Sequence, residues 1–141
     1  GRGEPDTGQV SGMGKPKLIL LVDDDRDFLE QNRGVLAASG YRVSCFSDPQ
    51  EALQAAEREP PDLVVSDLMM KALDSGFTLA REVKSRWARV PVILVTAAAS
   101  QRGFDFSPRG SEDLAAMNAD AFFDKPVAPD QLIAKVRDLL A

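Results

Sequence analysis

The sequence predicts an α/β protein in which a doubly wound, five-stranded parallel sheet carries helices on both faces. Short apolar runs of strand length alternate with segments whose apolar residues recur at helical spacing. The runs are almost uninterrupted, which is typical of strands buried on both faces. The connections between them are as long as crossover connections need to be. Together these three observations favour a parallel sheet over a hairpin-based one.

The composition indicates one globular domain. Hydrophobic residues make up 44% of the 141 residues and charged residues 28%, and a chain of this length buries roughly two-thirds of its unfolded surface. The net charge of −5 argues against a nucleic-acid-binding surface. No apolar run reaches the length of a membrane span and no signal peptide is visible. The single cysteine, Cys45, excludes an internal disulfide and predicts an inert, packed thiol in a cytoplasmic protein.

The absence of histidine excludes several kinds of catalytic and metal site. Histidine-based acid–base catalysis, imidazole metal ligands and Ser-His or Cys-His nucleophile pairs are excluded within this chain.

The first half of the chain predicts two strand–helix pairs after residues 1–15, which read as a disordered tail or a cloning remnant ahead of a domain at 16–141. Gly40 ends the first helix, because glycine readily adopts the left-handed conformation. Asp48 and Pro49 begin the second helix as a cap and a first-turn proline. The predicted elements are a strand at Lys17–Val22, a helix at Arg26–Ser39, a strand at Tyr41–Phe46 and a helix at Pro49–Arg58.

The second half predicts three strands and two helices around one irregular stretch. A strand begins at Asp62 and ends at Asp67, and the other predicted elements are a helix at Ser75–Trp87, strands at Pro91–Val95 and Asp120–Asp124, and a helix at Pro129–Leu140. Between them Ala97–Ala119 lacks a clear pattern, apart from a short helix near Glu112–Met117. Its Gly103–Gly110 part is either a surface loop or a docking element.

Polar side chains follow four of the five predicted strands: Asp23 and Asp24, Asp67, Thr96, and Lys125. Right-handed crossovers bring the carboxyl ends of all the strands to one edge. Each residue could be a simple turn cap, but capping does not explain why acids, a hydroxyl and an ammonium gather there. Carboxylate oxygens suit Mg²⁺, and a lysine and a threonine would complete a phosphoryl site. Asp67, in the centre, would be the nucleophile that forms an acyl phosphate.

From about Lys17 to Leu140 the chain resembles the receiver domain of two-component response regulators. The motifs that carry the resemblance are Val22-Asp23-Asp24-Asp25, Ser66-Asp67-Leu68-Met69-Met70, Val95-Thr96-Ala97 and Asp124-Lys125-Pro126. The resemblance implies a flavodoxin-like sheet of order 2-1-3-4-5. It implies that a partner histidine kinase or histidine phosphotransfer protein passes a phosphoryl group from a phosphohistidine to Asp67. The phosphorylated domain would then switch a face that binds a downstream protein target, an effector domain or a second copy of itself.

The resemblance also implies a role for each acidic residue. Asp24 and Asp67 would ligate Mg²⁺ directly, the Met69 carbonyl would be a third protein ligand, and Asp23 would act mainly through a metal-bound water. Asp25 matches no family site residue and is predicted to cap the first helix. The domain would be a phosphoacceptor rather than an enzyme, although it would assist its own phosphorylation and slow dephosphorylation.

The switch residues implied by the resemblance are Thr96 and Phe122. Thr96 would turn toward the phosphoryl group, Lys125 would pair with that group, and Phe122 on the fifth strand would flip inward. The Lys125–Pro126 bond is expected to be cis, which a proline peptide tolerates at small cost.

The chain departs from the family pattern beside the phosphoacceptor. Lys71 stands where the family usually has proline, and the turn at Lys71–Gly76 is one residue longer than usual. In the family, the residues two past the nucleophile and two past the threonine orient hydrolytic water, and here they are Met69 and Ala98. We therefore expect a long-lived phosphoryl group, and a half-life of seconds would contradict this.

Three other classes of protein compete with the receiver. A haloacid-dehalogenase-type phosphatase needs a second acid at the position of Met69, and a flavodoxin needs a Ser- and Thr-rich loop where Asp23-Asp24-Asp25 lies. A receiver-like interaction module that is not phosphorylated remains the alternative, because of Lys71 and the longer turn.

Overall fold

The computed structural model describes residues 16–67, 75–96, 118–125 and 127–141. Strands and helices alternate along these residues. The exception is the pair of strands on either side of residues 97–117, which follow one another among the described elements. The elements are β1 (Leu18–Val22), α1 (Arg26–Ala38), β2 (Arg42–Phe46), α2 (Pro49–Arg58), β3 (Leu63–Asp67), α3 (Ser75–Arg86), β4 (Val92–Thr96), β5 (Ala121–Asp124) and α4 (Pro129–Leu140). No helix in these ranges is both long enough and apolar enough to cross a membrane.

All five strands form one parallel sheet in the order β2-β1-β3-β4-β5. The predicted architecture and strand order are thereby confirmed. The register aligns the carboxyl ends of the central strands, since Val22 pairs with Ser66, and Asp67 pairs with Val95. Thr96 in turn pairs with Asp124. The residues that end or follow these strands therefore meet at one edge of the sheet.

Two apolar layers, one on each face of the sheet, bury the three central strands completely. Successive strand residues point to opposite faces, so Leu20 and Val22 pack in one layer and Ile19 and Leu21 in the other. The first layer is shared with α2 and α3, and the second with α1 and α4. Burial on both faces explains why these strands read as unbroken apolar runs.

The helix ends follow the capping residues of the sequence. The Asp25 side chain accepts hydrogen bonds from the backbone N–H groups of Asp27 and Phe28, which confirms it as the α1 cap. Gly40 has φ +99° just past that helix, a conformation that favours glycine. The Asp48 side chain accepts from Gln50 N at 2.9 Å, with Pro49 in the first turn of α2.

All five strands begin one residue later than the sequence pattern suggested, at Leu18, Arg42, Leu63, Val92 and Ala121. Two of the residues left outside are aspartates. The Asp62 carboxylate accepts from Leu18 N at 2.7 Å, while Asp62 N donates to Leu18 O at 2.8 Å. The Asp120 carboxylate accepts from Val92 N at 2.9 Å, while Asp120 N donates to Val92 O at 2.7 Å. We call these residues the strand-start aspartates.

Small differences also occur at other element ends. The first helix ends at Ala38 rather than Ser39, the third ends at Arg86 rather than Trp87, and Thr96 belongs to β4. The short helix suggested near 112–117, like nearly all of the irregular stretch, lies outside the described residues.

Candidate phosphoacceptor site

The candidate site lies at the carboxyl edge of the sheet, where four strands deliver their polar residues. Asp67 is the last residue of β3 and Thr96 the last of β4, while Asp23 follows β1 and Lys125 follows β5. Backbone hydrogen bonds hold the two flanking residues in place: Asp23 N donates to Phe46 O at 3.0 Å, and Lys125 N donates to Thr96 O at 2.7 Å. The sheet thus places these four side chains along one edge.

Three carboxylates form the acidic cluster of the site: Asp23, Asp24 and Asp67. Each offers an oxygen, and these oxygens lie within 4.8 Å of one another. Asp23 is fully buried and Asp67 is 4% exposed, whereas Asp24 is exposed. Like charges this close repel one another, and burial weakens the screening by water. The cluster is therefore suited to a cation or another positive group.

The Asp23 carboxylate makes one hydrogen bond to the backbone and one ion pair. Its Oδ1 accepts from Asp25 N at 2.9 Å, and its Oδ2 lies 2.7 Å from Lys125 Nζ. Beyond that ion pair, Oδ2 has no hydrogen-bond partner in the described part of the chain. Burial raises the pKa of Asp23 above its ordinary value, and the Asp24 charge adds to this, although Lys125 and the Asp25 N–H oppose it. Ionised Asp23 is thus incompletely compensated by the protein itself.

Lys125 reaches into the site from β5 and contacts two residues near the start of α1. Its ammonium pairs with Asp23, and its Nζ lies 4.5 Å from the centroid of the Phe28 ring. Its side chain is 18% exposed. The sequence resemblance implies a contact between Lys125 and a phosphoryl group, and the structure pairs the ammonium with Asp23 of the acidic cluster.

The remaining predicted residues fall into two groups. Thr96 is 2% exposed at the tip of β4, and Phe122 is partly buried on β5, opposite Leu94 and packed against the first apolar layer. Met69, Lys71, Ala98 and Pro126 lie outside the described residues, so the predicted carbonyl ligand, the longer turn, the residues expected to tune hydrolysis and the cis peptide remain predictions.

The sequence reasoning missed the contribution of Phe28. Apolar spacing along α1 predicts only that Phe28 packs on the buried face of the helix, and the structure places its ring against the site lysine as well. Its position five residues after Asp23, on the first turn of the helix that leaves the site, was the available signal. A pattern of apolar spacing cannot reveal which buried ring meets a cation from a distant strand.

The donor set fits a hard divalent cation. Mg²⁺ takes oxygen ligands, commonly one or two carboxylates together with waters. The acidic cluster offers carboxylate oxygens that follow or end two neighbouring strands, and these oxygens lie within 4.8 Å of one another. The residues present are therefore of the right kind and close enough to share one ion.

A family model described as "Response regulator receiver domain" matches residues 19–137. Response regulator MprA of Mycobacterium leprae is 37% identical over 124 residues, which cover 86% of this chain and 50% of that protein. The alkaline phosphatase synthesis transcriptional regulatory protein PhoP of Bacillus subtilis is 35% identical over 124 residues, covering 88% of this chain and 48% of that one. The chain spans about half the length of these curated relatives.

Solved structures of receiver domains have the same fold as this chain. A CheY-like receiver domain protein from Methanospirillum hungatei superposes with a TM-score of 0.76 at 28% identity, covering 89% of this chain and 94% of its own. The BeF3-activated DrrB receiver domain superposes with a TM-score of 0.72 at 27% identity, covering 89% and 97%. This chain belongs to the response regulator receiver domain family of two-component signalling.

Proposed function

We propose that the chain is a phosphoacceptor domain in which Asp67 accepts a phosphoryl group from a phosphohistidine of a partner protein. The observation that supports this most directly is the position of Asp67. Its carboxylate stands at the end of β3, shares the acidic cluster with Asp23 and Asp24, and lies at the sheet edge that Lys125 enters from β5. The proposed nucleophile and the carboxylates proposed to bind a cation therefore lie at the sheet edge that the Lys125 ammonium enters.

The proposed transfer follows from the chemistry of these groups. A carboxylate oxygen of Asp67 attacks phosphorus, the P–N bond of the donor breaks, and the electron pair returns to the imidazole nitrogen, which takes up a proton. The product is an acyl phosphate on Asp67. Lys125 would compensate charge on one phosphoryl oxygen, and the Thr96 hydroxyl would donate to another. Asp23, fully buried, keeps the lysine ammonium at the edge of the site.

Magnesium is part of this proposal because three carboxylates and an incoming phosphoryl group would otherwise repel one another. Asp24 and Asp67 would hold it directly with the Met69 carbonyl, and Asp23 would act through a bound water. When bound, the ion would supply positive charge to the phosphoryl oxygens.

The proposed partners follow from family membership. A histidine kinase or histidine phosphotransfer protein would donate the phosphoryl group, since this chain has no histidine of its own. The phosphorylated form would act on a downstream protein or effector domain. PhoP is named a transcriptional regulatory protein, so an output in transcription is one such proposal for a longer protein that contains this domain.

Incubation with acetyl phosphate and Mg²⁺, followed by intact-mass measurement, tests the proposal. We expect a stable adduct of one phosphoryl group, and Asp67→Asn should abolish it. Asp48→Asn is the matched control, because Asp48 also follows a strand but serves as the α2 cap, a role that asparagine fills equally well. This control should be phosphorylated normally.

Two results would contradict the proposal. A wild-type chain that gains no adduct, although folded by circular dichroism, would support the alternative of an interaction module that is not phosphorylated. An adduct that survives Asp67→Asn would place the phosphoacceptor elsewhere.

A further inference from the structure

Lys125 contacts two residues of one short segment, Asp23 and Phe28. Asp23 contacts the ammonium as an ion pair at 2.7 Å, and the Phe28 ring lies 4.5 Å away measured to its centroid. An ammonium within about 6 Å of an aromatic centroid is attracted by the electrons of the ring. Phe28 is 8% exposed, so little water competes for this contact.

The segment that carries both partners is locally well defined. Asp25 N donates to Asp23 Oδ1, and the Asp25 side chain in turn accepts from Phe28 N at 3.3 Å. One turn further on, the buried Asn32 amide donates to Phe28 O at 2.8 Å. Asp25 therefore links the Asp23 carboxylate to the backbone of Phe28 at the start of α1.

The two contacts respond differently to a change of charge in the site. The attraction between Lys125 and Asp23 depends on the negative charge of Asp23, and any cation shared by the acidic cluster would reduce it. The ring is neutral, and its attraction for the ammonium does not depend on the state of the carboxylates. It can therefore hold Lys125 near the site when the ion pair is weakened.

We infer that Phe28 is a positioning residue that keeps the Lys125 ammonium over its ring, at the edge of the site, while the acidic cluster binds a cation and a phosphoryl group. The inference rests on the proposed function, and it extends that function by assigning a role to a side chain that does not touch the phosphoryl group. Phe28 acts only through Lys125.

A nuclear magnetic resonance comparison in metal-free protein tests the contact without any phosphorylation. Protons above an aromatic ring are shifted upfield, so the ε-methylene signal of Lys125, assigned with Lys125→Arg, should lie upfield in the wild type. Phe28→Leu should remove this shift, and Phe28→Tyr, which keeps a ring, should retain it. An unshifted signal in the wild type would overturn the inference.

The second arm measures the maximal rate of adduct formation with acetyl phosphate at saturating Mg²⁺. We expect Phe28→Leu to lower it roughly three- to tenfold, as a lost cation–ring contact would, and Phe28→Tyr to restore it. In a Lys125→Ala background, Phe28→Leu should have no further effect.

The matched control is Leu29→Ala, because Leu29 follows Phe28 in α1, packs in the same apolar layer and is equally buried. It should lower the melting temperature but leave the rate and the Lys125 signal unchanged. An equal loss of rate in Leu29→Ala, or no loss in Phe28→Leu, would overturn the positioning role. A wild-type chain that gains no adduct would instead overturn the proposed function. The nuclear magnetic resonance comparison would still show whether the Phe28 ring contacts Lys125.

Discussion

Asp23 is a fully buried carboxylate on which its surroundings act in opposite directions. Burial and the Asp24 charge favour its protonated form, whereas Lys125 and the Asp25 N–H favour the ionised one. The net effect is a raised pKa, so the protein alone does not fully compensate the charge. A cation bound by the acidic cluster would favour the ionised form of Asp23 and lower this pKa.

Two glycines, one inside α1 and one just past its end, predict opposite effects of the same substitution. Gly34 lies in the middle of the helix, and a Cβ added there would meet nothing within 4 Å. Gly34→Ala should therefore stabilise the protein by about 0.5–1 kcal/mol, because alanine loses less backbone freedom on folding. Gly40→Ala should destabilise it by about 1–2 kcal/mol, because φ +99° disfavours a side chain. Urea unfolding of both variants measures this, and a loss of stability in Gly34→Ala would contradict it.

The thiol of Cys45 predicts that its rate of alkylation and the stability of the fold both depend on pH. Burial raises the pKa of its thiol, with the Arg33 charge opposing this. The thiolate is the reactive form, so alkylation by iodoacetamide should require a higher pH in the folded protein than in the urea-unfolded protein. Because the folded state keeps this proton to a higher pH, its stability should also fall as the pH rises past the value at which the unfolded thiol ionises. Equal alkylation profiles in the two states would refute the prediction.

At the scale of the elements, the strand-start aspartates define where two pairs of strands begin. Each uses its backbone N–H and its carboxylate to pair with one residue of the neighbouring strand: Asp62 with Leu18, and Asp120 with Val92. Asp120 also forms an ion pair with Lys84 of α3 at 2.8 Å. The same pair of hydrogen bonds thus begins the β1–β3 and β4–β5 pairings, at the edge of the sheet opposite the candidate site.

Removal of the Asp120 carboxylate should destabilise the β4–β5 pair. Asp120→Ala leaves Val92 N without this acceptor and should lower the free energy of unfolding by about 1–3 kcal/mol. Lys84→Met removes only a partly exposed ion pair and should cost less than about 1 kcal/mol. Chemical denaturation of the two variants separates the backbone contact from the ion pair, and a larger loss in Lys84→Met would reverse this assignment.

Helix ends were more predictable from the sequence than strand starts, for a physical reason. Caps such as Asp25, Asp48 and Gly40 act on their own local backbone, so neighbouring residues reveal them. Asp62 and Asp120 act on strands distant in sequence, and no local pattern shows that. The ring of Phe28 against Lys125 is the same case at the site, whereas the strand-tip residues were predictable because parallel strands share one edge.

At the scale of the whole molecule, binding of Mg²⁺ should stabilise the fold. An ion bound by the native acidic cluster and not by the unfolded chain adds about 1.4 kcal/mol when its concentration is ten times the dissociation constant. For a domain of this size that raises the melting temperature by roughly 3–6 °C. Calorimetry with Mg²⁺ and with EDTA measures the shift. Asp24→Asn should reduce it, and the same shift in an Asp24→Asn, Asp67→Asn double variant would show that the ion binds elsewhere.

The ion pair between Asp23 and Lys125 joins the beginning and the end of the chain. The two residues follow strands that are not neighbours in the sheet, since β3 and β4 lie between β1 and β5. Contacts of such large sequence separation carry a high loop-closure entropy cost. A nascent or partly unfolded molecule that lacks its last strand would therefore have the acidic cluster without its lysine. In the proposed phosphoacceptor role, such a molecule would lack the ammonium that compensates the charge of the phosphoryl group.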